Sequence, residues 1–225
     1  MPFTVEDASR KEDEEGPQVG QETRLNWRWI DTRTRANQAI FRINSGVCTL
    51  FREFLLAEDF VEVHTPKLIG GASEGGSEVF TLAYFDKEAC LAQSPQLYKQ
   101  ICCACAGFGR VFEIGPVFRA ENSNTHRHLC EFTGLDLEMT FKEHYYEVMD
   151  MIGKMFVFIF DGLAERYQDE IEAVQSQYPF EPLRYSNPSL RITFKEGLDL
   201  LRENGIDLDP NEDLRFFLSF VSLII

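Results

Sequence analysis

The sequence predicts an α+β fold, an antiparallel sheet flanked by helices, on three patterns. Apolar residues recur at three- and four-residue steps from Thr34 to Glu58, so that Ile40, Ile43, Val47, Leu50, Phe51, Phe54 and Leu55 form one stripe of a helix. A second such segment runs from His144 to Gln175, with Val148, Met151, Ile152, Met155, Phe156, Ile159 and Phe160 on one side. Between them, residues 110 to 141 read as two strands around a polar loop. Val111, Ile114 and Val117 alternate with turn-compatible Gly115 and Pro116, and Leu135-Asp136-Leu137-Glu138-Met139 sets three apolar residues against two carboxylates.

The remaining elements follow in order. Met1 to Gln21 is acidic, and its run Lys11-Glu12-Asp13-Glu14-Glu15-Gly16-Pro17 ends in turn residues, the composition of a flexible or linker segment. Asp59 to Pro66 alternates and stops at proline, as a strand at a sheet edge does. Ala72-Ser73-Glu74-Gly75-Gly76 is a mobile loop by composition, and Glu78 to Phe85 with Glu88 to Ala92 reads as a hairpin. Ser94 as cap and Pro95 at the first position then open a helix whose first turn projects Gln96 and Lys99 from one face. Pro179 to Pro188 is a proline-punctuated loop, Leu190 to Phe194 a short strand, and Phe194 to Asn204 a helix ending before Gly205. The tail Leu214 to Ile225 is strongly apolar but too short to span a bilayer comfortably.

Composition bounds the function. With 225 residues, 44% hydrophobic and 20 phenylalanines, the chain can bury one sizeable core or a domain with an appendage. A net charge of −15 argues against a bulk electrostatic grip on nucleic acid, which needs Lys and Arg gathered on one face, and no such run is visible. No apolar run is long enough for a membrane span, and the N-terminus is unlike a signal or transit peptide. The cysteines at 48, 90, 102, 103, 105 and 130 lack the paired spacing of a zinc site. They read as buried thiols of a reducing, cytoplasmic compartment, with Cys102 and Cys105 one helical turn apart and no metal site expected.

Chemistry concentrates in the loop from Arg119 to Glu131, where Arg119, Glu121, Asn122, Asn124, His126, Arg127 and His128 crowd together. That density suggests a grip on something anionic, because the planar fork of arginine meets a phosphate or carboxylate with two parallel bonds. Phe132, just after the loop, is placed to stack on a flat ring. Lys99 suits recognition of a carboxylate, since one buried ammonium distinguishes a charged side chain from a neutral amide. Asp136 and Glu138 could orient a substrate ammonium or a pocket arginine, or could form a solvated edge.

The FRAE…RH…EF arrangement between two strands resembles motif 2 of the class II aminoacyl-tRNA synthetases, and its wording resembles the aspartyl-tRNA synthetases of the eukaryotic cytosolic type. The resemblance implies that Arg119 and Glu121 hold the α-phosphate and the adenine amino group of ATP. Phe132 would stack on the adenine, Arg127 and His128 would lie near the outer phosphates, and Ala120 and Leu129 would complete the ATP-binding stretch. The long helix, short strand and Pro66 resemble motif 1, the dimer interface of the family. Ser73-Glu74-Gly75-Gly76 resembles its flipping loop, with Glu74 near the amino-acid ammonium. Gln93-Ser94-Pro95-Gln96-Leu97-Tyr98-Lys99-Gln100 resembles the aspartyl rather than the asparaginyl enzymes, which implies that Gln96, Leu97, Tyr98 and Lys99, with Arg119, bind aspartate. Trp27 and Trp29 depart from the smaller residues usual in the family and put the local packing in question.

The resemblance covers about Pro2 to Asp213, with a single-residue insertion expected within Ala104 to Gly109. The domains it implies are a hinge remnant over 1–22 without its anticodon-binding OB-fold, a partial catalytic domain over 23–213 holding motifs 1 and 2, and an apolar tail over 214–225 outside the family. Motif 3 and the acidic Mg²⁺ ligands are expected downstream of this chain, leaving the sheet incomplete at its C-terminus. The implied function is that of an aspartate-tRNA ligase, which activates L-aspartate with ATP to aspartyl-adenylate and transfers it to tRNA(Asp). Mg²⁺ would assist in the complete enzyme, and the chain is expected to be inactive alone. Two other readings stand beside it: a non-catalytic dimerisation module, as homodimer or paired with a full-length synthetase subunit, and a relative of the archaeal-type asparagine synthetase.

Overall fold

The computed structural model describes residues 1–72, 79–122, 125 and 128–206. It divides into two compact units, Met1–Pro182 and Leu183–Ile225, each taken by itself below.

The first unit begins with order where a linker was expected. Helix α1 (Val5–Ser9) opens on a capping box: Thr4 Oγ1 accepts from the Asp7 N–H at 3.1 Å, and the Asp7 carboxylate accepts from the Thr4 N–H at 3.2 Å. Phe3, Ala8 and Ile30 bury one another with Val19 against them, so sparse apolar residues outweigh the acidic run around them. Two short helices follow, α2 (Gln21–Asn26) and α3 (Arg28–Asp31). Buried Asp31 carries the charge of both, taking Arg24 at 2.8 Å and Arg28 beside it. Trp27 and Trp29 do not disturb this packing, because both indoles face outward.

Helix α4 (Arg35–Ala57) is capped by Thr34, whose hydroxyl accepts from the Asn37 N–H at 3.3 Å. Leu50, Phe51, Phe54 and Leu55 of the expected stripe are buried, Ile43 and Val47 partly so, and Ile40 is 44% exposed at the outer end. The helix closes with Asp59 in the left-handed region at φ 62°. The Phe60 N–H donates to Leu55 O at 3.0 Å and the Asp59 N–H to Leu56 O at 3.3 Å. This double closure swings Phe60 into the core beside Leu55 and aims the chain at the sheet.

Strand β1 (Val61–Glu62) is shorter than the expected Asp59 to Pro66, and the Thr65 N–H donates to the Glu113 side chain at 3.1 Å rather than to a ladder. Strands β2 (Leu68–Ile69), β3 (Thr81–Tyr84) and β4 (Lys87–Leu91) form a small antiparallel sheet in the order β2-β4-β3, which contains the expected hairpin. Helix α5 (Gln96–Gln100) starts one residue later than the sequence suggests. Pro95 is the cap position, and Ser94 Oγ accepts from the Gln96 N–H at 3.3 Å. The helix runs directly into a π-turn over Ile101–Cys105, so Cys102 and Cys105 are not one α-helical turn apart. A π-turn takes up one residue more than an α-turn and adjoins the stretch where an insertion is expected. The cysteines are not uniformly buried: Cys105, closing this turn, and Cys130, in the loop, are exposed.

Strands β5 (Arg110–Phe118) and β6 (Glu131–Met139) pair antiparallel from Arg110↔Met139 to Phe118↔Glu131, with β1 parallel to β5 on its other side. Gly115 and Pro116, turn-compatible by type, lie inside β5. Pro116 is accommodated because β1 pairs only at Val111 and Phe112, leaving β5 beyond them with one partner strand among the described residues. Alternation gives the ladder two faces. Phe112, Ile114, Leu137 and Met139 meet the α4 stripe on the core face.

The second amphipathic segment is two helices, α6 (Tyr146–Arg166) and α7 (Gln168–Gln177), broken at Tyr167. Met151, Met155, Ile159 and Leu163 of α6 complete the core, whereas Phe156 is 47% exposed. Periodicity misses the break because its cause is tertiary. The Tyr167 ring lies so close over Gly46 of α4 that a Cβ there would stand 2.6 Å from its Cζ.

In the second unit, α8 (Phe194–Glu203) opens on a Thr193–Glu196 capping box and ends at Gly205, φ 79°, where the sequence places its stop. The expected strand over Leu190 to Phe194 is irregular chain up to Thr193, the cap of α8, with no partner strand among the described residues of this unit. The tail over 214–225 lies outside the described residues.

Candidate functional site

The sheet face turned away from the core carries Glu113, Gly115 and Val117 of β5 opposite Asp136, Gly134 and Phe132 of β6. Helix α5 covers one end of it. Lys99 reaches down from α5, is 1% exposed, and places Nζ 2.5 Å from Asp136 Oδ1 and 3.0 Å from Leu137 O. Glu138 Oε2 stands 3.6 Å from the same nitrogen, beyond hydrogen-bond reach. Lys99 is thus a buried cation with partners, not a surface lysine. Beside it, Cys103 Sγ donates to Glu138 O at 3.4 Å, and burial, with the Glu138 charge, pushes this thiol above its ordinary pKa.

At the other end Arg119 lies over the Phe132 ring, its guanidinium carbon 5.5 Å from the centroid. Its Nε donates to Gln93 O at 3.4 Å, and the Phe118 N–H fixes the same segment by donating to Ala92 O at 3.0 Å. The four steps along the strand from Phe132 to Asp136 span about 13 Å. Between them Gly115 faces Gly134, and neighbouring side chains lean over the two glycines: a Cβ on Gly134 would stand 2.9 Å from Val117 Cγ2, and one on Gly115 2.9 Å from Glu113 Oε1.

The other expected site residues are distributed unevenly. Ala120 and Glu121 are partly buried beside Arg119, whose backbone oxygen accepts from the Glu121 N–H at 2.8 Å. His128 is exposed and bonds Thr125 Oγ1 through Nδ1 at 2.6 Å, and Leu129 is exposed. Gln96, Leu97 and Tyr98 are exposed on α5, so Gln96 does not share the buried environment of Lys99. Pro66 is exposed between Thr65 and Lys67. Glu74 and Arg127 lie outside the described residues. Sequence reasoning missed Glu113, although a carboxylate in the apolar run Val111-Phe112-Glu113-Ile114 was a signal that could have found it. Among the described residues, no group of three or more His, Cys, Asp or Glu side chains is arranged to hold a metal ion.

The fold and the face together are a two-faced antiparallel ladder backed by a long helix, with arginine over an aromatic ring at one end and a buried lysine at the other. Residues 20–222 match the model of the tRNA synthetases class II (D, K and N), and the chain belongs to that family. The match runs past residue 213, where the resemblance was expected to end.

Within the family, the chain is 55% identical over 218 residues to the cytoplasmic aspartate-tRNA ligase of Homo sapiens, covering 95% of this chain and 43% of that protein. It is 53% identical over 223 residues to cytoplasmic aspartate-tRNA ligase 2 of Arabidopsis thaliana, covering 95% of this chain and 40% of that one. Among solved structures, the aspartyl-tRNA synthetase of Entamoeba histolytica superposes with a TM-score of 0.79 at 44% identity, over 95% of this chain and 43% of that one. The asparaginyl-tRNA synthetase of Pyrococcus horikoshii, complexed with asparaginyl-adenylate, superposes with a TM-score of 0.74 at 31% identity, over 87% and 44%. The chain spans less than half the length of these relatives. Among the described residues no helix is long and apolar enough to cross a membrane.

Proposed function

We propose that this chain carries the amino-acid and nucleotide subsites of a cytoplasmic aspartate-tRNA ligase, and that the buried Lys99 on the same sheet face as Arg119 and Phe132 carries that reading. An ammonium has three hydrogens. Asp136 and Leu137 O take two, which leaves the third for the side-chain carboxylate of aspartate in the place that Glu138 Oε2 now flanks. Phe132 stacks on adenine, and Arg119 neutralises the α-phosphate. The Gly115–Gly134 stretch, between that end and Lys99, holds the ribose and the reacting atoms.

In the reaction, an α-carboxylate oxygen of aspartate attacks the α-phosphorus; the new P–O bond forms as the bond to pyrophosphate breaks, giving aspartyl-adenylate. The contribution of these residues is positioning and charge stabilisation. Mg²⁺ would arrive with the outer phosphates of ATP. Transfer to tRNA(Asp), and dimerisation through α4 and the segment around Pro66, complete the proposal.

Titration calorimetry with ATP, aspartate and asparagine tests it. ATP and aspartate are expected to bind, with asparagine at least tenfold weaker, since its amide leaves the ammonium without a counter-charge. Binding of neither ATP nor aspartate, or equal affinity for aspartate and asparagine, would overturn the assignment.

A further inference from the structure

Glu113 sits at the centre of β5, 2% exposed, directly across the strand pair from Asp136. Both its oxygens are engaged on one side. Oε1 accepts from the Thr65 N–H at 3.1 Å and from Lys67 Nζ at 2.7 Å, and Oε2 accepts from Thr65 Oγ1 at 2.7 Å. Gly115, next on the same face, makes this possible: a Cβ there would stand 2.9 Å from Glu113 Oε1. Two carboxylates opposed on neighbouring strands, with Cβ atoms about 5 Å apart, repel. Each here has its own ammonium, Lys67 from the loop before β2 and Lys99 from α5.

We propose that Glu113 is a positioning residue that sequesters Lys67, leaving Asp136 to Lys99 alone and so fixing the ammonium offered to an incoming carboxylate. This rests on the reading in which Lys99 meets aspartate. If the Glu113 charge is removed, Lys67 keeps a long flexible stem and an unbalanced charge, and the carboxylate across the strand from its lost partner is Asp136. Two lysines then compete for one carboxylate, Lys99 loosens, and the face gains a unit of positive charge.

Brief acetylation with acetic anhydride, read lysine by lysine by mass spectrometry, tests the device without any ligand. In Glu113→Gln, Lys99 is expected to label roughly tenfold faster than in the parent chain, a factor within the range that coupled neighbours show. The double variant Glu113→Gln/Lys67→Met is expected to return Lys99 to the parent rate. An unchanged Lys99 in Glu113→Gln, or one as loose in the double variant, overturns the proposal, because a carboxylate that merely clamped the Thr65 segment would not be replaced by deleting Lys67. Should Glu113→Gln fail to fold, circular dichroism of the double variant decides: recovered folding supports sequestration, and joint failure overturns it. Calorimetry on the same proteins separates this from the functional reading. Glu113→Gln is expected to weaken aspartate binding about tenfold with ATP unaffected. A parent chain that binds neither ligand overturns the functional reading, while the labelling rates still decide whether Glu113 sequesters Lys67.

Discussion

The Lys99 ammonium stands 2.5 Å from Asp136, yet Lys99 is a helix residue and Asp136 a strand residue 37 positions further along the chain. The pair couples α5 to β6 at the point where the face is most closed. Lys99→Met would leave Asp136 and Glu138 side by side without a counter-charge. Asp136 retains 35% side-chain exposure, so the cost is set below that of a fully buried pair, at about 2 kcal/mol. Urea unfolding should show that loss, and adding Asp136→Asn to Lys99→Met should recover part of it.

A helix glycine replaced by alanine normally stabilises by about 1 kcal/mol. Gly162 is expected to behave in the opposite way. A Cβ on it would lie 2.5 Å from Leu50 Cδ2, and Leu50 is fully buried with nowhere to retreat. Gly162→Ala should therefore destabilise by about 1–3 kcal/mol, the cost of overpacking a filled core. In a Leu50→Ala background, where the methyl groups are gone, the same change should turn neutral or favourable by the same unfolding measurement.

Arg52 Nε and Nη2 each donate at 2.9 Å to the two oxygens of Glu62, tying α4 to β1, and the bond from Arg52 holds the Glu62 carboxyl below its ordinary pKa. A carboxylate depressed in the folded state stabilises above its unfolded pKa of about 4.3, and that stability is lost as pH falls through the folded value. With Arg52 41% exposed, the pair contributes about 0.5–1 kcal/mol. The melting temperature of Arg52→Met should lie below that of the parent chain at pH 7, and the gap should close as the pH is lowered through that range. A gap independent of pH would mean that Arg52 acts through packing alone.

The fold was legible where one physical signal dominated. The stripe from Ile43 to Leu55 and the alternation on either side of the polar loop placed α4, β5 and β6 within a residue or two. Arg119, Phe132 and Lys99 were legible as chemistry, and the structure sets all three on one sheet face. What escaped was tertiary. The break at Tyr167 depends on Gly46, more than a hundred residues earlier, and the order in the first twenty residues depends on Phe3 and Ala8 meeting Ile30. Glu113 escaped for a similar reason. A carboxylate can lie buried in a strand only where partners neutralise it, and the partners of Glu113, Thr65 and Lys67, are distant in sequence.

Trp27 and Trp29 are the two tryptophans of the chain, edge to face with centroids 6.4 Å apart and 41% and 60% exposed. Intrinsic emission excited at long wavelength therefore arises from a single solvent-facing locus beside Asp31, far along the chain from Lys99 and Arg119. A denaturation curve followed by that signal dates the melting of α2 and α3. The opening of the phenylalanine-lined interior has to be timed by amide exchange, since no indole stands there to report it.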